Sequence, residues 1–179
     1  RFPDPDFQGN LPPVTVRPRG LTGPVISSEQ AMDIAKKFVG PHELRGKVVR
    51  VTRKITTEPR AYRVEIVPGG RTTSPGIRCD ISEKGGHVIW MLNDRLVGKP
   101  RISLDQAREL CRRFLESRGY ESMQVINAEG YEGVAVLSFA FLQDGVLVYP
   151  DQVKVRVALD NGQILGFEGT SYITFHRPQ

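Results

Sequence analysis

The sequence predicts an α+β fold of two tandem units, each one helix packed on an antiparallel sheet of about four strands. Three observations carry that expectation. A capped amphipathic helix pattern occurs twice, an alternating strand pattern closed by a turn occurs twice, and both recur at one offset of 76 residues. Ile26, Ser27, Gln30, Ala31 and Phe38 return unchanged as Ile102, Ser103, Gln106, Ala107 and Phe114, while Leu110 and Cys111 answer Ile34 and Ala35. Without a gap, the same offset carries Ile77, Cys79 and Ile81 onto Val153, Val155 and Val157. It also carries Gly86 onto Gly162 and Val88 onto Ile164. Helix stripe, strand pattern and turn sharing one spacing mark a tandem repeat, each copy one supersecondary unit.

The elements follow in order. Residues 1–25 carry Pro3, Pro5, Pro12, Pro13, Pro18 and Pro24 and read as an extended arm, because proline fixes φ and removes a donor. A first unit is expected over residues 26–98. Ser27 and Gln30 form a capping box ahead of the stripe Ala31, Ile34, Ala35 and Phe38, and Gly40-Pro41 ends that helix. Val49, Val51 and Ile55, then Tyr62, Val64 and Ile66, then Ile77, Cys79 and Ile81, read as strands. Pro68 to Gly76 is a loop, Gly85-Gly86 a turn, and Val88–Leu92 closes the unit. A second unit is expected over residues 99–179. Its helix runs from the Ser103 cap to a stop at Arg118-Gly119, followed by strands at Met123–Ile126 and Val134–Phe141.

Val134–Phe141 is apolar on both faces, so its second face is expected to be covered from within the chain. Asp144-Gly145 then turns the chain into the clearest strand of all. Val153, Val155, Val157 and Leu159 alternate with Gln152, Lys154 and Arg156. Asp160–Gln163 after it reads as a two-residue type I′ turn.

Charge and composition limit the function classes. Of 179 residues, 25 are Lys or Arg and 20 Asp or Glu, a formal charge of +5. The densest basic segment, Arg45–Arg63, holds seven cations against Glu58 alone. Solvated strand faces account for it, and an anionic wall polymer is the alternative ligand. Tyr62 is the single aromatic residue among these cations, short of the series that base stacking needs, so nucleic acid is not expected. No run of about 18 apolar residues occurs. The chain begins at Arg1 without a leader pattern, as a fragment would. Cys79 and Cys111 belong to no CxxC pair and fall on inward faces, as buried free thiols do. His42, His87 and His176 have no metal-ligand spacing and read as surface or turn residues, and no P-loop, nucleophile elbow or dinucleotide motif is present. Neither metal nor cofactor is expected, and the chain does not read as an enzyme.

A capped Ala/Phe helix followed by strands ending in a D-x-x-x-G-x-I hairpin resembles the PepSY domain, and both repeats have that layout. Gly20–Gly40 and Tyr149–Gly169 are similar to the C-terminal region of the YpeB family of spore germination proteins. That resemblance implies a non-catalytic module that binds a spore cortex-lytic peptidoglycan hydrolase and stabilises or inhibits it. It further implies a protein outside the cytoplasm, at the outer face of the spore inner membrane, tethered by an N-terminal anchor absent from this chain. No catalytic residues carry over. Peptidoglycan and a second copy of the chain are further partners to consider. Tyr149, Asp151, Lys154 and Arg156, which the repeat does not explain, and Trp90, which answers to Gly166, are the candidate partner-binding residues.

Overall fold

The computed structural model describes residues 21–70 and 76–174. The chain divides into two compact units, of which the first contains Leu21–Arg95 and the second Leu96–Gln179.

In the first unit, α1 (Ser28–Val39) and a short 3-10 turn precede β1 (Lys47–Ile55), β2 (Ala61–Pro68), β3 (Ile77–Ser82) and β4 (Val88–Asn93). The strands form an antiparallel meander in chain order. α1 starts where the sequence says. The Ser27 side chain accepts the Gln30 amide and Gln30 returns the bond to the Ser27 amide, while Gly40 ends the helix at φ 89°. A helix of 12 residues is marginal alone, so packing of its apolar stripe holds it. Ala31, Ile34, Ala35 and Phe38 are buried, with Tyr62, Val64, Ile66, Ile77, Cys79, Ile81 and Met91 of the sheet. Each fully buried aliphatic contributes about 1.5–3 kcal/mol.

The second unit repeats this with α2 (Leu104–Ser117), β5 (Met123–Tyr131), β6 (Val134–Gln143), β7 (Val146–Ala158) and β8 (Ile164–Glu168), again an antiparallel meander. The capping box of Ser103 and Gln106 matches the first. So do bonds that no side chain dictates. Ile26 N–H donates to Glu83 O as Ile102 N–H donates to Leu159 O, and Ser82 N–H donates to His87 O as Ala158 N–H donates to Gln163 O. The ladder irregularities at Asp80/Ile81 and Arg156/Val157 also correspond.

The second unit adds α3 (Thr170–Thr174), whose Tyr172 and Ile173 are buried. Tyr120 packs edge-on against Tyr172 at 5.1 Å and tilted against Phe167 at 5.2 Å.

One internal shift breaks the single offset. Val64 faces Cys79 as Leu137 faces Val155, so the second strand repeats at 73 residues and the third at 76. The two-residue turn Glu132-Gly133 replaces the longer first-unit connection, Thr56–Arg60. Three residues return as a bulge in β7: Phe141 faces Val148 and Ala140 faces Gln152, so Tyr149, Pro150 and Asp151 stand outside the β6–β7 register.

Two expectations are corrected here. The turn after β7 is not type I′, which requires positive φ at both central residues. Only Gly162 is positive, at 80°. Asn161 instead uses its side-chain oxygen to accept the Gln163 amide, and Gly162 N–H closes a wider loop onto Ala158 O. Two successive positive φ values occur instead at Gly85-Gly86, Glu132-Gly133 and Asp144-Gly145. Asp151, a candidate partner-binding residue, is buried at 1% exposure, because it continues the inward alternation of Val153, Val155 and Val157.

Candidate interaction surface

The sheet face opposite each helix is where the units diverge. In the first unit it is knitted together. Asp80, 5% exposed, accepts Arg63 Nε at 2.9 Å and Nη2 at 3.0 Å, and accepts the Trp90 indole N–H at 2.9 Å. The Arg63 guanidinium also lies over the Trp90 ring, 5.3 Å from its centre. Adjacent strands align the three side chains, since Arg63 faces Asp80 and Asp80 faces Trp90 in the ladders. Trp90 is therefore half-buried and engaged inside its unit through its N–H and one ring face.

The corresponding second-unit positions are Val136, Arg156 and Gly166. Arg156 lies across Gly166, where an added Cβ would stand 3.1 Å from the arginine Cδ. Arg156 and Lys154 are exposed, and no carboxylate among the described residues pairs with either. On the same face, Ser138 and Ala140 are buried beside Lys154 and Gln152, and Val134 and Val136 are half-buried. Long side chains beside small ones shield this side of β6.

Beyond the bulge, β7 continues into the β6–β7 hairpin. Val146 is 65% exposed and Tyr149 58%, and Pro150 is exposed next to them. The residues matching Tyr149-Pro150-Asp151 in the first unit, Thr73-Ser74-Pro75, lie outside the described residues, as do most of the arm and His176.

The basic segment Arg45–Arg63 splits in two. Lys54 and Arg60 converge on Glu83 at 3.0 and 3.1 Å, which lowers the Glu83 pKa chiefly through the Lys54 hydrogen bond. Arg63 is held by Asp80. Arg45, Lys47, Arg50 and Arg53 are exposed and have no acidic partner among the described residues.

Among the described residues no cluster of His, Cys, Asp and Glu can hold a metal ion. Cys79 and Cys111 are free and buried, and burial pushes both thiols up to about 12, away from reactive thiolate. His87 follows the Gly85-Gly86 turn, its buried Nδ1 without a partner among the described residues and its Nε2 3.4 Å from Thr22 O, and burial lowers its pKa. Sequence reasoning missed Arg63 and Asp80 as a hub. They stand 17 residues apart and only strand register brings them together.

Twice-repeated, box-capped helices on four-stranded meanders define a tandem PepSY-type protein. A family model described as YpeB sporulation, PepSY1 and PepSY2 domains matches residues 1–179, and the chain belongs to that family. It is 42% identical over 97 residues to sporulation protein YpeB of Halalkalibacterium halodurans, covering 54% of this chain and 22% of that protein. Against the Bacillus subtilis protein of the same name it is 29% identical over 159 residues, covering 88% of this chain and 34% of that one. The chain thus spans about a third or less of these relatives. In three dimensions it is similar to the Bacillus megaterium YpeB C-terminal domain, with a TM-score of 0.79 and 28% identity over 88% of this chain and 69% of that one.

Proposed function

We propose that this member of the spore germination family is a non-catalytic interaction module that binds a spore cortex-lytic peptidoglycan hydrolase and stabilises or inhibits it. The reading places both partners outside the cytoplasm, at the outer face of the spore inner membrane. The observation that carries it is β7 itself. This one strand presents exposed Val146 and Tyr149 beside a bulge, then exposed Lys154 and Arg156 without carboxylate partners among the described residues. Aromatic and arginine side chains with accessible area are the usual anchors of protein interfaces. Asp151 takes no direct part, since it is buried.

The test mixes the purified chain with the hydrolase and measures complex formation, cortex hydrolysis and resistance to protease. The expected result is a complex weakened about tenfold by Y149A/R156E, since each exposed anchor contributes roughly 0.5–1 kcal/mol. Neither complex, inhibition nor protection with the wild-type chain refutes the reading.

A further inference from the structure

We infer that the outer edge of β1 is a docking site for an extended acidic peptide segment, taken up as an added strand. Among the described residues β1 has a neighbour, β2, on one side only. It is also the most open strand of its unit, exposed at Lys47, Val48, Arg50, Thr52, Arg53 and Lys54. Such an edge offers a row of backbone N–H and C=O groups, the template for strand addition.

The charges say which strand fits. In the same unit Lys54, Arg60, Arg63 and Arg78 each hold a carboxylate, whereas Arg45, Lys47, Arg50 and Arg53, spread along β1 and its entry, hold none among the described residues. Glu65 faces Arg50 across the ladder but forms no ion pair with it. Arg50, and Arg53 past the irregularity at Thr52, face the Glu65 and Arg63 side of the sheet. An incoming strand repeats its side chains on one face about every 6.6–6.8 Å, so alternate Asp or Glu residues would run alongside these cations in phase. Cations on an edge repel a second basic edge. The same cations attract an acidic one, and arginine pairs with carboxylates through two parallel bonds. A glycan or polyphosphate could satisfy the charge but not the backbone edge. A peptide satisfies both.

The probe is a synthetic peptide of about ten residues alternating Glu and Thr, a length that spans one strand. It is titrated into the 1–179 chain by fluorescence anisotropy. Binding is expected to weaken about tenfold in R50E/R53E and to fall with added salt. N-methylation of every second amide, in the phase that faces the edge, is expected to abolish it. The variant changes two exposed residues, and circular dichroism confirms its fold independently. Three results overturn the inference: equal binding by peptides N-methylated in either phase, which leaves charge alone; unchanged binding by folded R50E/R53E; or no peptide binding with salt-sensitive co-sedimentation on peptidoglycan, which assigns the edge to a wall polymer.

Discussion

Replacing Asp80 by alanine is expected to destabilise the first unit by about 2–3 kcal/mol. The carboxylate accepts three bonds, two from Arg63 and one from the Trp90 indole. Buried charge-assisted bonds contribute about 1.5–3 kcal/mol each. Fully exposed pairs contribute only about 0.2–1 kcal/mol. The Arg63 side chain is 30% exposed and that of Asp80 7%, so once Asp80 is gone water recovers part of the guanidinium. The ion pair therefore falls between those limits, near 1–1.5 kcal/mol. The indole N–H, left in a half-buried site, adds about 1 kcal/mol. Trp90 is the sole tryptophan, so its emission reports on this site alone. Urea denaturation followed by that emission should show a lower midpoint in D80A, and a thermal midpoint lowered by about 5–10 °C. A double-mutant cycle with R63A should return a coupling near 1 kcal/mol, because the residues touch. A D80A chain within about 0.5 kcal/mol of wild type would show that the network is decorative and that helix packing alone holds the sheet.

Two further outcomes test the repeat and the turn. G86A and G162A should each cost about 1–2 kcal/mol, because both glycines sit at positive φ, where a side chain is strained. An added Cβ would also meet Ile34 Cδ1 at 2.6 Å in one unit and Leu110 Cδ1 at 2.8 Å in the other. Urea midpoints for the two variants decide this, and full stability in either contradicts the matched architecture. His87, lowered below the ordinary imidazole value of 6.5 by burial, is neutral in the folded chain while the unfolded chain still takes up protons. Stability should therefore be greatest above pH 6.5 and decline as the pH falls below it. In H87Q that part of the decline should vanish from denaturation curves collected between roughly pH 7.5 and 5.

Much of this fold was legible because its signals are local. A serine and a glutamine three residues apart make a box wherever a helix follows, and Val153, Val155 and Val157 alternate on a two-residue period that admits one face only. What escaped was long-range or compensated. The repeat offset returns to 76 after slipping to 73, so a gapless comparison of the flanks conceals the turn at Glu132-Gly133 and the bulge at Tyr149–Asp151. α3 was invisible for another reason. Its sequence, TSYIT, has little helix propensity, and burial of Tyr172 and Ile173 holds it in place. The Arg63–Asp80–Trp90 hub depends on register across three strands, which no spacing along the chain reveals.

The contrast between faces bears on function. On the helix side the two units match down to individual backbone bonds, so this side is what the shared architecture requires. On the other side the same three ladder positions are Arg, Asp and Trp in one unit and Val, Arg and Gly in the other. At these three positions the first unit pairs its polar groups with one another. The second leaves Arg156 exposed across a glycine. A guanidinium with no carboxylate partner among the described residues contributes little to folding where water already solvates it, yet it gains when a partner supplies an anion in a drier site. R156E alone should therefore leave the urea midpoint of the free chain within about 0.5 kcal/mol of wild type while weakening capture of the hydrolase. A variant that lost stability and kept binding would place the recognition elsewhere.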